Sequence, residues 1–221
     1  MKELLEIRFE GWTATPRLPF ILSGNAVCMH TPSYSTILGV IGCCLGRIIE
    51  PHEVNVGYKY CYDSVGVDLE TRHRLEFDGK KVKDHSKGTD AYKREFHVNP
   101  KLTIWLDKTD WEQNFNDPIG TPSLGQSQDL LIIKSVKKVQ AEKIDKGVLS
   151  GCMIPYKSNV QSAGQLVQIA ESFQENENVG SGRSPVNSRI FLSIPFDATK
   201  EITFDNLYTV SELTIYLHEW I

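Results

Sequence analysis

Near the start of the chain, apolar and charged residues alternate singly, with Leu5, Ile7 and Phe9 set between Glu6, Arg8 and Glu10. A period of two predicts a strand with one buried and one wet face. From Thr15 to His30 the alternation is lost and Pro16, Pro19 and Gly24 intervene, which predicts a long surface excursion with a short extended piece at Ala26 to Met29. Thr31 or Ser33 then suits a helix N-cap, because either hydroxyl can accept from a first-turn amide, and Pro32 fits a first-turn position. The helix is predicted to run to about Ile49. Within it Gly39, Gly42 and Gly46 are interleaved with Ile37, Leu38, Val40, Ile41, Cys43, Cys44 and Leu45. Each glycine costs a helix about 1 kcal/mol relative to alanine, so their clustering predicts close approach of another backbone, most simply a sheet beneath.

Val54, Val56, Tyr58, Tyr60 and Tyr62 recur at every second position, and Val65, Val67 and Leu69 continue the pattern after Asp63-Ser64, which predicts two adjacent strands. The second extends to Leu75 and Phe77. Between Gly79 and His97, Lys80, Lys81, Lys83, Lys87, Lys93 and Arg94 outweigh Asp84, Asp90 and Glu95, and Leu102, Ile104 and Leu106 supply the next strand. The basic run is therefore predicted at the tip of a long hairpin, where it can reach a partner, although a solvated loop is the plainer reading. Thr109 is a candidate cap for a short helix through Phe115, stopped by Pro118-Ile119-Gly120. The loop Ser123-Leu124-Gly125-Gln126-Ser127-Gln128-Asp129 feeds an apolar strand, Leu130 to Ile133. This order predicts an α+β fold, a ferredoxin-like or RRM-like antiparallel sheet with helices on one face. Beyond Lys134, Ile190 to Ile194 and Leu213 to Leu217 read as strands, and Asn176 to Ser188 as a loop rich in glycine, serine and asparagine. Residues 1–140 are taken as the main unit and 141–221 as a β-rich elaboration packed on it.

Composition narrows the chemistry. A formal net charge of -4 argues against binding nucleic acid through bulk positive potential, so any such contact has to be local. The cysteines, Cys28, Cys43, Cys44, Cys61 and Cys152, are odd in number and lack zinc spacing, and the histidines are scattered, so free thiols are expected and no metal or cofactor. No apolar run is long enough for a membrane span and no signal peptide is evident, which predicts a cytoplasmic protein. Tyr34 is either a packing residue or a base-stacking ring; Tyr58, Tyr60 and Tyr62 share one strand face and read as core rather than as a platform.

The helix entry Thr31-Pro32-Ser33-Tyr34-Ser35-Thr36-Ile37-Leu38-Gly39, the basic hairpin, the strand after Asn99-Pro100 and the loop from Ser123 together resemble the CRISPR-associated protein 5 family of the RAMP superfamily. The resemblance covers about Leu5 to Val136 and is greatest to the type I-B Cascade subunit. It implies a palm that holds the 5′ handle of a crRNA, a hairpin thumb at 79–97, contacts with the Cascade backbone subunit and large subunit, and target DNA met only through the assembled complex. Carried onto this chain, the handle pocket forms where the helix start at Ser33, Tyr34 and Ser35 approaches Gly125, Gln126 and Ser127, with free amides suited to phosphate. The thumb contacts are Lys80, Lys81, Lys83, Lys87, Lys93, Arg94 and His97. Many relatives have arginine after the loop glycine; the neutral Gln126 here shifts the ionic contact to Arg17, Arg47 or Lys134. Some members of the family cut repeat RNA without metal through tyrosine, histidine and lysine, for which Tyr58, His73 and His97 are the candidates here. No adjacent Lys-His pair follows the central strands, so a non-catalytic role is expected.

Overall fold

A computed structural model of the chain describes residues 1–19, 24–176 and 182–220. In chain order the elements are β1 (Lys2–Gly11), β2 (Thr13–Ala14), β3 (Asn25–Ala26), α1 (Tyr34–Leu45), β4 (Val56–Cys61), β5 (Ser64–Phe77), β6 (Val82–Val98) and β7 (Lys101–Leu106). After α2 (Glu112–Asn116) come β8 (Leu131–Val148), β9 (Cys152–Pro155), β10 (Gln165–Glu175), β11 (Arg183–Ile194), β12 (Glu201–Val210) and β13 (Leu213–Tyr216). The fold is α+β and mostly antiparallel sheet. Six strands pair in the order β13-β12-β8-β1-β7-β4, three in the order β10-β11-β9, and β6 pairs with β5, β2 and β3.

β1 occupies the centre of the large sheet because its odd positions are apolar. Ile7 lies opposite Ile104 of β7 and Val136 of β8, and Leu5 and Phe9 extend the same buried row. Ile37, Leu38 and Ile41 of α1 pack on this row, and Met153, Ile154, Phe191 and Ile194 of the three-stranded sheet join the same core. Tyr58 and Tyr60 are fully buried there, as their place in one row with Val54 and Val56 predicts, while Tyr62 at the end of the row is half-buried. The polar row of β1 is not wholly wet. Glu6 is buried, accepting from Trp105 Nε1 at 3.0 Å and from Arg8 Nε at 2.9 Å, because Leu4, Trp105, Ala141, Val210, Ile215 and Leu217 cover the opposite face with a second apolar cluster.

Ser33 is the N-cap of α1, accepting from the Thr36 amide at 3.3 Å, so Pro32 lies just before the helix. Thr31 is buried instead, hydrogen-bonded to Ser193 Oγ. The helix ends at Leu45, short of Ile49, where Gly46 takes a left-handed conformation (φ 68°) and its neighbour Arg47 donates to the Gly42 carbonyl. The three glycines therefore do not mark a sheet beneath. A Cβ at Gly42 would lie 2.6 Å from the Arg47 carbonyl, so Gly42 makes room for the chain folding back after the helix. A Cβ at Gly39 would meet nothing within 4 Å.

The basic run 79–97 contributes the turn and the β6 half of a longer hairpin whose other half is β5. Over residues 64–98 eight basic residues stand against seven acidic ones, so β5 and Asp78 together bring the net +3 of the run down to +1. Residues 140 and 141 both lie within β8, and β12 and β13 extend the sheet built on β1. Thr109 opens a 3-10 turn ahead of α2 without a side-chain capping bond.

Candidate nucleic-acid interface

The missing side chain at Gly39 leaves a groove beside α1. One end, a cleft of about 600 Å³, is lined by Arg17, Met29, Ser33, Ser35, Thr36, Gln168 and Phe173. The other, about 430 Å³, is lined by Ser35, Gly39, Gly42, Gly46, Arg47, Ile48, Phe173 and Arg183. Ser35 and Phe173 belong to both, which makes the two clefts one path along the helix, floored by β10 and β11. At its head the Ser33 hydroxyl lies 2.9 Å from both Ser35 Oγ and Thr36 Oγ1. The amides of Tyr34 and Ser35, ahead of the first helical bond at Ile37, have no carbonyl partner within the helix, and the first turn carries no acidic residue. A negative group here meets amide donors, hydroxyls and the positive end of the helix dipole.

Four of the residues singled out in the sequence, Arg17, Ser33, Ser35 and Arg47, line this one groove. Arg47 is already bound, donating to both carboxylate oxygens of Glu53 at 2.8 and 2.6 Å and lying 5.6 Å from the Trp111 ring centre. That bond holds the Glu53 carboxyl down at about 2.

Tyr34 points the other way. Its hydroxyl donates to the Met153 carbonyl at 2.7 Å, its ring stacks on His218 with centroids 4.0 Å apart, and it is buried, so it is a packing residue and not a stacking platform for a base. Behind it Glu171 is buried between Arg189 Nη1 at 2.9 Å and His218 Nε2 at 3.2 Å. Burial alone would raise the Glu171 carboxyl, but the bonds from His218 and Arg189 bring it below the usual range. Burial lowers His218, whose Nδ1 faces the Tyr216 hydroxyl at 3.2 Å.

The Gly125 loop lines neither end of the groove at the helix start and packs on the segment around Thr15. Gly125 (φ 118°) packs on the Thr15 backbone, and the Thr15 amide donates to the Leu124 carbonyl at 2.9 Å. Asp129, fully buried, holds the loop closed by accepting from Thr13 Oγ1 at 2.6 Å and from the Gln126 amide at 3.0 Å. Gln126 Oε1 accepts from Arg94 Nη1 at 3.1 Å, leaving Ser127 exposed. Arg94 is itself buried beside Glu70, 3.4 Å away, so it braces the loop rather than presenting a charge.

His97 is also buried, its Nδ1 hydrogen-bonded to the Tyr60 hydroxyl at 2.8 Å and its ring stacked 3.6 Å from Tyr62. Desolvation takes it down to about 4. Lys80 and Lys81 are exposed at the turn that Asp78 Oδ1 organises by accepting both their amides at 3.0 Å. Lys87 and Lys93 are exposed, and Lys83 pairs with Glu76 at 3.3 Å. Lys134 is the extra residue of a bulge in β8, 3.8 Å from Glu10 and away from the groove. Phe173 and Gln168 went unnoticed in the sequence because nothing local marks β10 as facing α1, and Arg183, expected within a loop at 176–188, opens β11 instead, with 177–181 outside the described residues. Burial pushes the thiols of Cys28, Cys44 and Cys152 up to about 12, and no group of side chains among the described residues could hold a metal ion. Among the described residues no helix is long and apolar enough to cross a membrane.

No family model and no curated protein matches the sequence. Solved structures do match. A chain of a CRISPR RNA-guided surveillance complex superposes with a TM-score of 0.57 at 13% identity, over 94% of this chain and 91% of that one. A chain from the type III-B Cmr-beta complex bound to cognate target RNA gives 0.51 at 11% identity, over 91% and 86%. The protein has the fold of chains found in CRISPR complexes. At 94% of the chain the likeness takes in strands beyond residue 141.

Proposed function

We propose that the chain is a non-catalytic RNA-binding subunit of a CRISPR surveillance complex, of the kind formed by the CRISPR-associated protein 5 family in type I-B Cascade. In this reading the groove along α1 takes the 5′ handle of the crRNA. A phosphate sits at the Ser33–Ser35 helix start beside Arg17, and the strand passes Phe173 and the open face at Gly39. The strand neighbours β8-β1-β7-β4 and the crossovers through α1 and α2 suit a ferredoxin-like palm. The β5–β6 hairpin is the thumb, with Lys80, Lys81 and Lys87 reaching the guide beside the backbone subunit. The large subunit docks alongside, and target DNA is met through the assembled particle in the cytoplasm.

The observation that carries this reading is the joining of Arg17, Ser33, Ser35 and Phe173 in one groove, on a fold shared over nearly the whole chain with a surveillance-complex chain. Burial of Tyr58 and His97 supports the non-catalytic part, since of the three candidate rings only His73 is exposed. The test is photocrosslinking from the 5′ handle of a guide in the reconstituted complex. Crosslinks to peptides containing Arg17, Ser35 or Phe173 are expected; crosslinks confined to another subunit would overturn the assignment. Incubating the purified chain with repeat RNA in EDTA is expected to leave the RNA intact, and a discrete fragment ending in a cyclic phosphate would overturn the non-catalytic reading.

A further inference from the structure

β5 has an unusual edge. Among the described residues it pairs only with β6, leaving a strand of 14 residues with its outer backbone groups unpaired. One face of it is apolar and open: Val67, Leu69, Leu75 and Phe77 are 63%, 66%, 61% and 68% exposed. Long, exposed, apolar edges are rare in proteins that remain single, because such an edge templates another strand. The register break between His73 and Leu75 falls on the β6 side, where residues 85–88 are the surplus, so β5 presents an uninterrupted edge.

The sequence of β5 is complementary to itself in the antiparallel sense. About a centre at Thr71, Asp68 falls opposite Arg74 and Glu70 opposite Arg72 on one face. On the other, Val65 falls opposite Phe77, Val67 opposite Leu75 and Leu69 opposite His73. Members of every pair are separated by an even number of residues, so backbone groups that point outward on one strand meet groups that point outward on the other. A shift of one residue would set outward groups against inward ones, and a shift of two would place Asp68 opposite Arg72 but leave Glu70 facing itself. The arginines already bond within the hairpin, Arg74 to Asp90 and Arg72 over the Tyr92 ring at 4.6 Å. A guanidinium has five donors in a planar fork, enough to serve a second carboxylate.

We propose that two copies of this chain pair edge to edge through β5, antiparallel, with a two-fold axis at Thr71, forming a four-stranded sheet β6-β5-β5-β6 across the interface. The inference rests on the strand alone and is independent of the RNA-binding reading. The Lys80 and Lys81 turn of each hairpin lies beyond the paired edge and stays exposed.

Sedimentation velocity of the full chain without nucleic acid tests it. A two-copy species at tens of micromolar is expected. Arg72→Glu with Arg74→Glu makes the face wholly acidic, Asp68→Arg with Glu70→Arg leaves it basic apart from Glu76 near the turn, and each variant alone is expected to sediment as a single copy. Mixing the two restores the pair. Register is read separately: Thr71→Cys is expected to form an intermolecular disulfide on mild oxidation, since cross-strand Cα atoms on the axis lie ~4.5–5.5 Å apart, whereas His73→Cys and the parent chain do not. Circular dichroism of each variant controls for loss of the hairpin. A chain that stays single at every concentration, a pair that persists in the all-acidic variant, equal crosslinking at 71 and 73, or association only when RNA or another subunit is added would each overturn the proposal.

Discussion

Gly39 acts through what it lacks. It costs α1 helix stability, and its Cβ position faces open space, so the residue is explained by the groove and not by the core. Gly39→Leu is therefore expected to raise the midpoint of urea unfolding, worth about 0.5–1 kcal/mol from helix propensity. The same variant is expected to weaken guide retention tenfold or more by filling the path. Loss of stability, or retention unchanged, would separate the glycine from the groove. His97 carries a pH signature. The folded protein holds the ring at about 4 against 6.5 for the free side chain, so the unfolded chain binds more protons between those values. Stability is then fully present above about pH 6.5 and declines as pH falls toward 4, by up to about 3 kcal/mol. His97→Gln is expected to flatten that decline when urea midpoints at pH 7 and pH 5 are compared; an unchanged slope would place the effect elsewhere.

At the level of elements, the hairpin separates charge by position, with paired charges along β5 and β6 and open lysines at the turn. Reversing Lys80, Lys81 and Lys83 to glutamate is expected to lower affinity for guide RNA in low salt and to reduce the steepness of its salt dependence, since each lost phosphate contact removes about 0.7 from the logarithmic slope on single strands. An unaltered slope would remove the turn from the interface. The legibility of elements follows how local their causes are. β1 could be read because Leu5, Ile7 and Phe9 carry the period themselves, and the α1 start because Ser33 is its own cap. β8 could not be read past Ile133: the bulge at Lys134 breaks the alternation, and Val136 and Ile144 are only partly buried. The glycines misled because Gly42 and Gly46 serve the turn after the helix, where Arg47-Ile48-Ile49 carries no turn signal of its own.

Across the whole molecule, one core holds the first and last strands together: Ile7, Ile104, Met153, Phe191 and Leu207 belong to a single buried cluster. Unfolding is expected to be one transition, with tryptophan fluorescence and far-ultraviolet circular dichroism giving coincident midpoints in urea. Two separated transitions would show that the strands after residue 148 form a unit of their own. The composition could indicate class and charge, but not this union, because it depends on contacts between residues far apart in the chain. Glu171 shows why. Read alone it is a surface carboxylate on an alternating strand, and only the arrival of Arg189 and His218 makes its burial tolerable.

The vacant face of α1 also offers a listening post. A cysteine introduced at position 39 would stand in open space, while burial suppresses the native thiols at 28, 44 and 152 by holding them at about 12. An environment-sensitive dye attached there would stand in the path a guide needs, and its change in signal would report the two competing for the channel.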